Sequence, residues 1–174
     1  MHRVDSFIKE SQRLNPVAIC KRTVEPSVLL NRILMKDHIF SDGTAILKGT
    51  SIGVATDTTH LNADRYEDPH RFDGFRFVKL KARNLSHSPS SSFSQTNKFD
   101  ITNTNSDSLG FGLGRHVCPG RFFAASELKI MLAHVVVMYD MKLAEGKRPD
   151  NVWLSVTCVP NPTAQVLFRR CGVA

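Results

Sequence analysis

Apolar residues recur at helical spacing near the start of the chain. In "VDSFIKESQRL", Val4, Phe7, Ile8 and Leu14 share one broad face, which predicts a helix over 4–14. Asp5 or Ser6 suits its start, and Pro16 stops it. The pattern then shortens. "VAICKRTV" and "SVLL", separated by Pro26, are β-branched or apolar and read as strands or extended edges. In "HIFSDGTAILKGTSIGVAT", Asp42-Gly43 predicts a hairpin turn between "HIF" and "TAIL", Gly49 ends that arm, and "SIGVAT" is a further strand. "NADRYEDP", from Asn62, suits a short helix closed by Pro69. "HRFDGFRF" follows, aromatic and basic without a clean period.

Composition shifts at Lys79. The stretch to Ser108 is rich in Ser, Asn and Thr and poor in aliphatics. It predicts a polar surface loop over 78–108, mobile in its first half, within a single domain spanning 1–174. Too little apolar sequence lies on either side for two cores. Next, Phe123, Leu128, Met131, Leu132, Val135 and Val136 predict a helix from Gly120 to about Met138 with a wide apolar face. "NVWLSVTCVPNPTAQVLFRR" reads as two strands around a Pro-Asn-Pro turn. No apolar run reaches membrane-spanning length, and there are no internal repeats.

Charge and cysteine content change this picture little. The net charge of +7 suits an acidic partner. Lys and Arg are scattered, with no dense run beside an aromatic platform, which argues against nucleic-acid binding. Cys20, Cys118, Cys158 and Cys171 include no CxxC pair, so a structural zinc site is not expected. The opening "MHRVDSFIKESQRLNP" is polar and is not a secretory signal. His38, His60 and His134 lack a metal-ligand partner at motif spacing and read as surface or packing residues.

The chemistry concentrates in "FGLGRHVCPGRFF". Pro119 fits the first turn of a helix, which places Cys118 at or beside the cap. The unpaired N–H groups and positive end of that helix favour a thiolate. Gly112, Gly114 and Gly120 let backbone approach a flat object. Arg115 and His116 add donors, and Phe111 an aromatic wall. Such a setting suits a thiolate bound to metal beneath an anionic cofactor. A buried, inert cysteine at a loop–helix junction is the competing reading.

Phe111, Gly114, His116, Cys118 and Gly120 match F-x-x-G-x-[R/H]-x-C-x-G, and the segment resembles the haem-binding loop of cytochromes P450, most closely the filamentous fungal type. Glu10 and Arg13 resemble the family's E-x-x-R on its K helix. "FDGFRF", residues 72–77, resembles the family's F-x-P-E-R-F, with Gly74-Phe75 where Pro-Glu is typical and Arg76 at the basic position.

The resemblance implies an α+β, mainly helical cytochrome P450 fold, incomplete: K helix, short β strands and hairpins, meander, Cys haem-ligand loop, L helix and C-terminal β hairpin. It covers nearly the whole chain, but only the C-terminal third of a full member. It makes Cys118 the axial thiolate on the iron of haem b. Phe111 packs beside the sulfur. His116, where many members carry Arg, meets a haem propionate, as does Arg22, whose neighbour Lys21 competes for that role. Val17 to Ile19 lie near the substrate side. Glu10, Arg13 and Arg76 form a buried charged cluster, the alternative being exposed ion pairs.

By resemblance the activity is insertion of one oxygen atom from O2 into a small, hydrophobic organic substrate, such as a fungal secondary metabolite. Electrons come from NADPH through NADPH-cytochrome P450 reductase. A full-length relative sits at the endoplasmic reticulum membrane through an N-terminal anchor. The family's I helix, with its acid/alcohol pair, is expected before Glu10. "ATDTT", residues 55–59, superficially resembles that pair but stands on the wrong side of Glu10. This chain alone is therefore expected to be truncated and impaired, the alternative being a non-catalytic P450-derived fragment or small interaction protein without stoichiometric haem.

Overall fold

The computed structural model describes residues 2–16, 28–87, 97–154 and 157–172. Helix α1 (His2–Leu14) leads into strand β1 (Val28–Ile33). The short strands β2 (His38–Ile39) and β3 (Ala45–Ile46) and strand β4 (Ser51–Ala55) follow. Next come α2 (Thr56–His60), α3 (Arg76–His87) and the long helix α4 (Arg121–Met138). Strands β5 (Tyr139–Leu143), β6 (Val152–Leu154), β7 (Thr157–Val159) and β8 (Val166–Arg170) complete the order. The strands pair two by two and antiparallel, as β1–β4, β2–β3, β5–β8 and β6–β7. Among the described residues helices dominate, and the strands form small two-stranded ribbons.

The β2–β3 hairpin follows from its turn. Gly43 adopts φ +85°, and the Asp42 carboxylate accepts the Thr44 N–H at 2.9 Å. "SIGVAT" becomes β4, which pairs back with β1. The last two strands of the sequence reading do not pair with each other across Pro160-Asn161-Pro162. Instead β7 pairs with β6, and β8 returns to β5 with Tyr139 opposite Arg170 and Leu143 opposite Val166. The α4–β5 junction determines this outcome, since β5 leaves the helix without a loop and needs a partner from elsewhere in the chain.

The main correction concerns α1. Its buried residues are Asp5, Ser6, Lys9, Glu10 and Arg13, whereas Phe7 is exposed and Val4, Ile8 and Leu14 are half-buried. The polar stripe faces inward because each of its groups finds a partner on another element. Asp5 accepts the Ile101 N–H at 2.9 Å and pairs with Lys129 of α4. Ser6 Oγ accepts the N–H groups of Phe77 and Val78, capping α3 from another helix. Lys9 Nζ donates to the carbonyls of Lys98 and Asp100 at 3.1 and 2.8 Å. Buried polar groups paired in this way carry little desolvation penalty beyond their charge. Among the described residues the buried apolar side chains are few, with Tyr66, Phe77, Ile101, Leu109 and Ala125 the main ones.

Two further expectations fail locally. The segment read as loop from 78 begins as helix, because α3 runs to His87. Its helix-forming Lys, Leu and Ala residues outweigh the polar composition once Ser6 and the Asp73 carboxylate, which accepts the Phe75 N–H at 3.0 Å, hold its first turn. Later in that segment, Asn97–Phe99 forms a 3-10 turn and Ile101 is buried against α1. Asn62 to Pro69 forms turns, not a helix. Asn62 Oδ1 takes the Asp64 N–H at 2.7 Å, and several carbonyls of this stretch are drawn off by arginines. The helix lies earlier, at α2, over the "TDTTH" stretch.

Burial of Lys9 has a measurable consequence. Lys9 is only 2% exposed, and its ammonium sits 5.0 Å from the Phe77 ring centre. Burial pushes its pKa down to about 8, against the raising effect of Asp5 and Asp100. Below pH 8 both folded and unfolded chains hold the proton, and folding carries the full cost, about 3 kcal/mol. Between pH 8 and 10.5 the unfolded chain holds more proton, so this group's contribution makes stability rise with pH. Urea midpoints at pH 7 and 10 should show a smaller pH-dependent gain in Lys9→Met than in the parent.

Candidate functional site

The charged cluster assembles around Glu10, which is fully buried. Arg13 Nε and Nη2 donate to the two Glu10 carboxylate oxygens at 2.8 Å each, a bidentate pair between residues one helical turn apart. Arg76 Nε donates to Glu10 Oε1 at 3.0 Å, and the Asp73 N–H donates to the same oxygen at 3.1 Å. The remaining guanidinium donors are also used. Arg13 Nη1 reaches the carbonyls of His60 and Pro69, both at 2.7 Å. Arg76 reaches those of Glu67, Asp68 and Arg71. The Arg13 guanidinium also stacks 4.9 Å from the Tyr66 ring centre.

Burial alone would raise the Glu10 carboxyl. Hydrogen bonds from Arg13, the Asp73 amide and Arg76 outweigh it and hold the group below its ordinary range. The cluster is thus one buried anion holding two cations, which in turn gather the carbonyls of the 60–71 turns. Gly74, where the resembled pattern has Pro, has its own reason. A Cβ there would come within 2.8 Å of the Phe7 ring, which stands edge-on to Phe72 at 5.1 Å.

From this cluster the structure passes to the cysteine loop through His60, 2% exposed. Its Nε2 accepts the Leu109 N–H at 3.0 Å, and its Nδ1 lies 3.2 Å from the Arg13 carbonyl. Two residues further on, the loop begins at Phe111. It closes on itself where the Cys118 N–H donates to the Phe111 carbonyl at 2.8 Å. Between them, Gly112 and Gly114 adopt φ +82° and +70°, and Gly114–His116 forms a 3-10 turn. The two glycines are therefore required by backbone handedness. Gly120 is different: its backbone is ordinary, and a Cβ there would lie 3.9 Å from Cys118 Sγ.

Cys118 and Phe111 are half-buried, and His116 is exposed. Pro119 is not in the first turn of α4. The cap is Gly120 and the helix begins at Arg121, so Cys118 stands two residues before the cap. Arg121 reaches back, donating from Nη1 to the Cys118 carbonyl at 3.1 Å and from Nε to the Thr102 carbonyl at 3.0 Å. Among the described residues no three or more His, Cys, Asp or Glu converge on a metal position. A prosthetic group that brings its own equatorial ligands needs only one protein donor, and a single half-buried sulfur on a loop closed by its own backbone fits that need. Val17 to Ile19, Cys20, Lys21 and Arg22 lie outside the described residues.

The cytochrome P450 family model matches residues 1–168. This chain belongs to the cytochrome P450 family. The chain is 43% identical over 171 residues to cytochrome P450 monooxygenase 151 of Postia placenta, covering 98% of this chain and 31% of that protein. It is 39% identical over 173 residues to cytochrome P450 monooxygenase BOA4 of Botryotinia fuckeliana, covering 98% and 32%. The chain thus spans about a third of the length of these P450 relatives. The fold agrees: a retinoic acid-bound cyanobacterial P450, CYP120A1, superposes with a TM-score of 0.68 at 24% identity, over 97% of this chain and 33% of that one.

Against this P450 frame, the site residues named from sequence fall into two groups. Glu10, Arg13 and Arg76 meet in one cluster, and Phe111 to Gly120 form one closed loop. Sequence reasoning missed His60, Lys9 and Arg121. Lys9 was reachable, since a buried Glu10 and Arg13 put Ser6 and Lys9 on the same inward stripe. His60 left no local signal, because both of its partners are 47 or more residues away. Of the three histidines read as surface or packing residues, His38 and His134 are exposed, His38 against Phe40 and His134 against Tyr139.

Proposed function

We propose that this chain carries the thiolate side of a haem monooxygenase, with Cys118 as the axial ligand of haem b. The observation that supports it best is the loop from Phe111 to Cys118, closed by the Cys118 N–H on the Phe111 carbonyl. That bond and the Arg121 contact fix the backbone on both sides of the sulfur. Phe111 supplies an apolar wall beside it. Gly112 and Gly114 supply a turn that no larger residue would make without strain. His116 and Arg22 are assigned to the haem propionates.

In the family frame α1 takes the place of the K helix, the 60–75 turns with the 97–110 segment that of the meander, and α4 that of the L helix. Glu10, Arg13 and Arg76 have a holding role: they fix α1 to the turns beneath the cysteine loop. Bound haem supplies the activation of dioxygen for insertion of one oxygen atom into an organic substrate. For the whole protein, the reading assigns a small hydrophobic substrate, NADPH-cytochrome P450 reductase as electron donor, and an endoplasmic reticulum anchor. Among the described residues no helix is long and apolar enough to cross a membrane.

A second reading, a non-catalytic P450-derived product without stoichiometric haem, is favoured by the open apolar surface of α4. There only Ala125 is buried, and Phe123 and Val137 are 74% and 72% exposed. The two readings part in one experiment. The chain is supplied with haemin, reduced, and exposed to carbon monoxide. The first reading expects stoichiometric haem and a thiolate-type shift of its main absorption band. No stoichiometric haem decides for the second, and haem taken up without that shift overturns the role of Cys118 as its ligand.

A further inference from the structure

We propose that His60 is a positioning residue for the cysteine loop, a neutral strut whose two ring nitrogens tie the end of α1 to the Leu109 amide and let go of that amide on protonation. Its consequence for haem rests on the function proposed above; the strut itself does not. A backbone N–H can only donate, so Nε2, 3.0 Å from the Leu109 nitrogen, is the bare acceptor nitrogen. The ring hydrogen is then on Nδ1, directed at the Arg13 carbonyl 3.2 Å away. Both bonds are buried, and Leu109 itself is 2% exposed. The contact joins two parts of the molecule that the chemistry needs in register. Arg13 belongs to the Glu10 cluster, and Leu109 also accepts the Gly112 N–H at 2.8 Å, inside the cysteine loop.

A proton on Nε2 would set N–H against N–H. The surroundings resist that proton. Burial lowers the His60 pKa first. The Arg13 carbonyl opposes it, the Arg13 and Lys9 charges on α1 lower it further, and Asp57 on the ring's own helix raises it. The folded value therefore lies below the unfolded one. The strut is complete above about pH 6.5 and is lost as pH falls below that toward the folded value.

Amide hydrogen exchange of the full chain, corrected for intrinsic rates, tests this between pH 7 and pH 5. In the parent, protection across residues 109–118 should fall at least about tenfold on acidification, while the β5–β8 pair keeps its protection. His60→Gln retains an acceptor near the Nε2 position without a titrating ring, so its 109–118 protection should be nearly independent of pH. His60→Ala should be unprotected there at both values. If His60→Gln kept the parent's pH response, or if acid loosened β5–β8 equally, the proposal would be overturned, even should His60→Ala fail to fold. Haem-thiolate absorption is read on the same samples. Its absence from the parent would count against the proposed function and leave the exchange result standing.

Discussion

Glu10→Ala should destabilise the folded chain by about 3–5 kcal/mol, the usual cost of stripping one partner from a buried ion cluster. The size follows from the bonds lost. Arg13 loses both bonds of its fork, Arg76 loses its Nε partner, and the Asp73 N–H is left facing a cavity. Two guanidinium groups then remain inside the protein with only carbonyls around them. Glu10→Gln separates charge from shape. Its oxygen can still accept from Arg76 and Asp73, but its amide N–H points at an Arg13 donor. A smaller loss is expected, together with a blunted acid limb. The Glu10 carboxyl is held below its ordinary range, so its contribution is present above about pH 4.5 and is lost as pH falls through the folded value. Urea titrations followed by far-ultraviolet circular dichroism at pH 7 and 4 measure both effects. An unaltered midpoint for Glu10→Ala would mean that the cluster does not hold the fold.

This dependence on one carboxylate also explains how far the sequence could be read. The β2–β3 hairpin, β4 and α4 are set by neighbours in sequence: an Asp-Gly turn, β-branched alternation, and a long apolar run after Pro and Gly. α1 was visible as a helix, but its orientation was not. The apolar-in rule assumes that burial is driven by hydrocarbon, whereas here the inward stripe is polar and is satisfied by Ile101, Phe77, Lys98 and Arg76, between 60 and 100 residues away. The start of α3 was hidden for the same reason, since part of its cap is the hydroxyl of Ser6. The β5–β8 pairing depends on where α4 delivers the chain, which no local pattern encodes. The cysteine loop stood out because its motif is long and rich in glycines, two of which, Gly112 and Gly114, take positive φ. The Glu10–Arg76 link, by contrast, needed the family pattern to be seen at all.

Cys118→Ala should abolish the thiolate-type absorption shift of the reduced, carbon monoxide-treated protein while leaving the fold intact. The side chain contributes no bond to the loop: closure uses the Cys118 N–H and carbonyl, which alanine keeps. Loss of a half-buried sulfur costs little packing, so the urea midpoint should move by less than about 1 kcal/mol. That combination separates a ligand from an inert junction cysteine, whose removal would leave haem absorption as it was. Cys171→Ala is the informative comparison. Its thiol is also free and half-buried, but it stands just past β8, tied by its N–H to the Met138 carbonyl at 2.8 Å, at the far end of α4. The shift should survive there. Cys118→Ser sharpens the test by keeping size and polarity while removing the soft donor that favours iron. A thiolate band that persisted in Cys118→Ala and vanished in Cys171→Ala would move the ligand to the other end of the helix and refute the role assigned to the loop.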